Sequence, residues 1–125
     1  MKNYDFFPGA GKFYKANLHC HTVISDGKLT KEQIRKEYQK RGYSIVAFTD
    51  HRTYGYHPEL TDEDFIALAG IEVDISEDPQ KCGGWPHAKC YHLNFYDEQP
   101  EEGKEFPLPT YVYEDMAKNG CRIGG

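Results

Sequence analysis

The chain has 125 residues, a length that fits a single domain. Fifteen basic and twenty acidic residues give a net charge of −5, which argues against a surface that coats nucleic acid through its phosphates. No apolar run approaches the ~20 residues of a membrane span and no signal-peptide core follows Met1, so we expect a cytoplasmic protein with reduced cysteines.

The first predicted element is a strand over residues 13–21, which ends in His19 and His21. Because side chains on a strand alternate between faces, these two imidazoles point the same way and Cys20 points the other way. Two imidazoles on rigid backbone form half of a metal site. The pair alone is weak evidence, since this spacing often occurs by accident.

A helix is predicted over residues 29–41. Thr30 is its N-cap, Gln33 completes a capping box, and Gly42 ends it. The next predicted strand, residues 43–49, has an unbroken apolar core, which is typical of a strand buried on both faces in a parallel sheet. This strand–helix–strand order indicates an α/β fold with right-handed crossovers.

The remaining predicted elements are a helical turn at 61–64, strands at 67–75 and 89–96, a surface loop at 97–109 and a helix at 110–119. Asp50 and His51 follow the second strand, just as His19 and His21 end the first. Active sites of α/β sheets lie at the carboxyl ends of the strands, so the sequence predicts that these side chains converge on one rim.

Five short segments extend this pattern: Asn17-Leu18-His19-Cys20-His21-Thr22, Ser25-Asp26-Gly27, Ala47-Phe48-Thr49-Asp50-His51, Ala69-Gly70-Ile71-Glu72 and Tyr91-His92-Leu93. In these segments the chain resembles the PHP family, phosphoesterases named after polymerase and histidinol phosphatase domains. The resemblance implies an α/β fold, a distorted β/α barrel of the PHP type. Such a barrel needs ~250 residues, so residues 1–125 would form one partial domain, about the first half, with the motifs within 13–96.

The resemblance also implies a set of metal ligands: His19, His21, Asp26, His51, Glu72 and His92. His19 and His21 would bind one metal, which Glu72 bridges to a second metal held by His92. Asp26 and His51 would bind a third. We expect up to three zinc, manganese or iron ions, because imidazole favours these over magnesium.

The resemblance implies catalytic roles for Glu72 and for Asp50, which is not one of the six ligands. Glu72 would bridge the metals, and Asp50 would orient a neighbouring ligand. Arg52 directly follows a predicted ligand, so it is the expected contact to substrate phosphate. His57 and His87 are expected to be bystanders, as loop histidines usually are.

The implied activity is metal-dependent hydrolysis of a phosphate ester by activated water, with no protein nucleophile. The expected substrate is a small phosphorylated compound or a nucleotide, while nucleic acid stays open and no membrane is involved. The family pattern continues past residue 125 with further ligands. We therefore expect a truncated chain of doubtful activity alone, with sheet edges open to self-association.

Four other interpretations were weighed beside this one. The chain could be a non-catalytic metal-binding remnant, or a half-domain that another chain completes. An amidohydrolase-like metallohydrolase fits the segments around Asp50 and Glu72 poorly. A separate zinc site on Cys82, His87 and Cys90 is disfavoured, because their spacing matches no common zinc module.

Overall fold

The computed structural model describes Gly9, residues 11–84 and residues 88–105. Four strands form one sheet in the order β1-β2-β3-β4, and the sheet curls into half a barrel. The strands are β1 (Ala16–Asn17), β2 (Ile45–Phe48), β3 (Ile66–Ser76) and β4 (Cys90–Tyr96). The helices of this part of the chain are α1 (Lys31–Gln39) and α2 (Pro79–Cys82), with a 3-10 turn at Pro58–Leu60.

The predicted α/β class is confirmed, and the curled sheet is compatible with part of a β/α barrel. β1, β2 and β3 run parallel, and α1 connects the first two strands as the strand–helix–strand order predicts. β4 runs antiparallel to β3 over seven residue pairs. The strands predicted at 67–75 and 89–96 are therefore both present.

The signals predicted for the ends of α1 are confirmed. Thr30 Oγ1 accepts a hydrogen bond from Gln33 N, and the Gln33 side chain accepts one from Thr30 N, at 3.3 and 2.9 Å. Gly42 has a φ of 77°, a left-handed conformation that glycine adopts without strain. Tyr43 N then donates to Tyr38 O at 3.1 Å, the long backbone bond that closes this type of helix end.

A hydrophobic cluster packs α1 against one face of β2. Its buried members are Ile34, Val46, Phe48, Leu60 and Phe65. Val46, Ala47 and Phe48 are completely buried, so the prediction of a strand covered on both faces is confirmed. Burying each large side chain of this kind contributes about 1.5–3 kcal/mol, which fixes the strand that leads to the candidate site.

The first strand is much shorter than predicted. β1 ends at Asn17, so His19 and His21 lie in the segment that follows it. The physical reason is that Thr49 pairs with this segment partly through its side chain. Cys20 N donates to Thr49 Oγ1 at 3.2 Å, while Thr49 N donates to Cys20 O at 2.9 Å.

The helical turn predicted at residues 61–64 was wrong. Asp62 Oδ1 instead accepts hydrogen bonds from Asp64 N and Phe65 N, and this turn leads the buried Phe65 directly into β3. The short helix α2 lies between β3 and β4, in a stretch for which the sequence predicts no element. The predicted helix at 110–119 lies outside the described residues.

Among the residues that the structure describes, no helix has the length and apolar character needed to cross a bilayer.

Candidate metal centre

The Glu72 carboxylate lies at the centre of a cluster of histidines. Glu72 is on β3 and is only 1% exposed. Its Oε1 is 2.9 Å from His92 Nδ1 and 3.6 Å from His19 Nε2. Its Oε2 is 2.9 Å from His21 Nε2 and 3.1 Å from His51 Nδ1. Histidines from three separate segments of the chain therefore meet at one buried carboxylate.

Asp26 extends the cluster towards solvent. Its Oδ1 accepts a hydrogen bond from His21 Nδ1 at 2.5 Å, and its Oδ2 is 3.6 Å from His51 Nε2. The bond from His21 holds the pKa of the Asp26 carboxyl below its ordinary value, so this group is a carboxylate at neutral pH.

These side chains form three overlapping groups whose ligand atoms lie within 4.8 Å of one another: His19, His21 and Glu72; His21, Asp26 and His51; and His51, Glu72 and His92. The structure thus brings together all six metal ligands predicted from the sequence. Each described group offers three protein ligands, as catalytic metal sites commonly do.

Two buried polar atoms without hydrogen-bond partners show whether a cation fits beside Glu72. His21 Nε2 and Glu72 Oε2 are buried and have no hydrogen-bond partner, although they lie 2.9 Å apart. Because His21 Nδ1 donates to Asp26, a neutral His21 ring presents only a lone pair to the Glu72 oxygen. Two acceptors at this distance repel each other unless a cation lies between them, so this pair fits a metal ion.

The charge around Glu72 points to the same conclusion. In the described part of the chain the ion-pair partners of Glu72 are histidines, which carry charge only when protonated. A buried carboxylate without a permanent positive partner is costly. A divalent cation would supply that charge, and the nitrogen and oxygen donors suit zinc, manganese or iron.

Asp50 lies beside the cluster and outside the three groups. It is completely buried, and its Oδ1 accepts from Thr22 N at 2.7 Å and from Ser25 Oγ at 2.6 Å. Its Oδ2 accepts from Thr22 Oγ1 at 2.9 Å. Asp50 thereby fixes the turn that separates His21 from Asp26. The catalytic role expected for Asp50, which is to orient a neighbouring ligand, stays a prediction.

Arg52 is held at the rim by Asp74. Its Nε donates to Asp74 Oδ1 and its Nη2 to Asp74 O, both at 2.8 Å, and this pairing raises the pKa of the guanidinium. Its backbone has a φ of 51°, and its N–H donates to Glu72 O at 2.8 Å. The guanidinium is half exposed, and contact with substrate phosphate stays a prediction.

His57 lies apart from the metal groups. Its ring packs edge-on against Phe48 at 5.0 Å between centroids, and burial lowers its pKa. His87 lies outside the described residues, so the disfavoured zinc site with Cys82 and Cys90 stays untested.

Sequence reasoning missed two polar side chains at the centre. Thr49 Oγ1 lies 2.8 Å from His19 Nδ1. Asn94 pairs directly with Glu72 in the β3–β4 register, and its Oδ1 is buried without a partner. Alternation from His92 could have placed Asn94 on the same strand face, whereas no local signal reveals the contact of Thr49.

The family model of the PHP domain matches residues 17–111, a range that contains all six predicted ligands. No curated protein and no solved structure gave a significant match. The matched range covers most of the chain, and the chain therefore belongs to the PHP domain family.

Proposed function

We propose that this chain hydrolyses phosphate esters with divalent metal ions held around Glu72. The observation that carries the proposal is the buried Glu72 carboxylate shared by two of three overlapping ligand groups. Membership of the PHP domain family supports it, since this family suggests a metal-dependent phosphoesterase.

The metal centre would supply an activated water and positive charge for the phosphate oxygens. The chain's own residues supply position. Glu72 uses both carboxylate oxygens, one towards His19 and His92 and the other towards His21 and His51. This sharing would hold two of the groups together, and His21 and His51 join the third group to them, so that all three could act on one phosphate.

Zinc, manganese or iron are the ions that we propose. Four of the six ligands are imidazoles, which favour these ions over magnesium. With three protein ligands per described group, coordination positions stay open for water and substrate.

The proposed substrate is a small phosphorylated compound or a nucleotide. Arg52 follows the ligand His51, and its half-exposed guanidinium is a donor suited to phosphate. The ion pair with Asp74 would hold this guanidinium at the rim until a phosphate shares it.

Hydrolysis of p-nitrophenyl phosphate with added manganese tests the proposal. We expect activity in the wild-type chain and its loss in His19→Ala and Glu72→Ala, while the exposed control Glu101→Gln retains it. Equal activity in all four proteins would contradict the assigned site. Metal bound with no hydrolysis would instead favour the non-catalytic metal-binding module.

A further inference from the structure

Thr49 is a buried hydroxyl in contact with a ligand histidine. It is completely buried at the end of β2, and its Oγ1 lies 2.8 Å from His19 Nδ1. The same oxygen accepts from Cys20 N at 3.2 Å, and its hydroxyl donates to Cys20 O at 3.5 Å.

We propose that Thr49 is a positioning residue that sets the tautomer of His19. A hydroxyl has one hydrogen to donate and two lone pairs to accept with. If the Thr49 hydroxyl donates its hydrogen to Cys20 O, its two lone pairs accept from Cys20 N–H and from His19 Nδ1–H. His19 then carries its hydrogen on Nδ1 and presents the free lone pair of Nε2 towards Glu72, 3.6 Å away.

His21 shows the same arrangement with a different partner. Its Nδ1 donates to an oxygen of Asp26, and its Nε2 faces Glu72. In both histidines an oxygen binds one ring nitrogen while the other is directed at the shared carboxylate. Such partners fix the ring orientation and the ligating nitrogen of metal-binding histidines.

Packing holds Thr49 in place. A Cβ added to Gly70 would lie 3.0 Å from Thr49 Cγ2 and 2.7 Å from Phe95 O, so the strand beside Thr49 approaches it closely. The threonine methyl group is therefore enclosed, and the side chain has little freedom to turn its hydroxyl away from His19.

This inference rests on the proposed metal centre and is independent of the reaction. The first experiment is ¹⁵N NMR of the histidine side chains of the metal-free chain at pH about 8, above the usual imidazole pKa of about 6.5. We expect the Nδ1–H tautomer at His19 in the wild type, because Nδ1 lies within hydrogen-bond distance of Thr49 Oγ1 at 2.8 Å, whereas Nε2 is 3.6 Å from the Glu72 oxygen, too far for a hydrogen bond or for the repulsion described at His21. An Nε2–H tautomer there would overturn the inference.

Two variants and a matched control complete the test. Thr49→Ser keeps the hydroxyl and should retain both the tautomer and the manganese affinity. Thr49→Val removes it, so the His19 hydrogen should move to Nε2 and the affinity should fall about tenfold or more. Thr61 Oγ1 accepts from Ala67 N at 3.0 Å far from the ligands, so Thr61→Val loses a comparable bond without touching a histidine.

The outcomes separate this inference from the proposed function. If Thr49→Val kept the wild-type manganese affinity and the wild-type His19 tautomer, the role assigned to Thr49 would be overturned. An equal loss of affinity in Thr61→Val would do the same, because the effect would then be one of general stability. A wild-type chain that binds no manganese contradicts the metal centre, and its His19 tautomer still decides whether Thr49 acts as described.

Discussion

Glu72 shows how one residue can serve a site at the expense of stability. Its carboxylate is 1% exposed, and its ion partners among the described residues are imidazoles. Glu72→Gln keeps the shape and removes the buried charge, so we expect a metal-free unfolding temperature equal to or above that of the wild type. The rise on adding metal, worth about 2.7 kcal/mol per ion at one hundred times the Kd, should shrink, because two of the three groups lose a ligand. Thermal unfolding with and without manganese measures the metal-free unfolding temperature and the rise on adding metal. A full metal-induced rise in the variant would show that Glu72 is not a ligand.

Asp50 is the residue on which the turn before Asp26 depends. It accepts three hydrogen bonds from Thr22 and Ser25. Asp50→Asn has one acceptor oxygen and directs an amide N–H₂ at donors, so we expect a loss of about 1–3 kcal/mol in the free energy of unfolding. Urea unfolding measures the loss, and the exposed Asp64→Asn is the matched control. Equal stability of both variants would mean that the turn does not need the Asp50 carboxylate.

At the scale of single elements, the sequence could predict the features that depend on residues close together in the chain. The ends of α1 follow from Thr30, Gln33 and Gly42, which act through neighbours in the chain. The length of β1 could not be predicted, because its ladder ends at the pair of Asn17 and Val46 and the chain beyond it contacts the Thr49 side chain. That contact joins residues far apart in sequence and leaves no local trace.

Tyr96 joins β4 to the segment after β1. Its hydroxyl donates to Leu18 O at 2.6 Å, one residue before His19, and burial raises its pKa. Tyr96→Phe removes this bond, and we expect a loss of about 1 kcal/mol in the free energy of unfolding. Urea unfolding measures this loss, and Tyr14→Phe, a change in an exposed ring, is the control. A loss no larger than that of the control would mean that the bond contributes nothing.

The end of β4 carries a pH-dependent contact. Asp97 accepts hydrogen bonds from Lys104, Tyr54 and Gln99 N, which lower its pKa to about 2 from 3.8. A depressed carboxyl pKa gives stability that is present above pH 3.8 and is lost as pH falls to about 2. We expect Asp97→Asn to be less stable than the wild type at pH 6, with the difference shrinking below pH 3.8. Urea midpoints over this range measure it, and a constant difference would contradict the assigned cause.

For the whole molecule, the sequence predicted which side chains lie together better than it predicted the path of the chain. The rule that sites lie at carboxyl ends of parallel strands applies to β2, whereas Glu72 lies within β3, beyond the residues that pair in parallel with β2. His92 instead lies near the start of β4, and the antiparallel direction of β4 brings it to the same rim. Strand direction depends on pairing across the sheet, so periodicity within residues 89–96 could not reveal it.

The way in which the groups overlap predicts how many ions each variant can bind. His19, Asp26 and His92 each belong to one group, whereas His21, His51 and Glu72 each belong to two. If each group holds one ion, replacing a residue of the first kind by alanine should cost one binding equivalent, and replacing one of the second kind should cost two. Elemental analysis after manganese loading and desalting counts them, with Glu101→Gln as the control. Equal losses in His92→Ala and His51→Ala would mean that the six side chains serve a single ion, because shared membership would then make no difference.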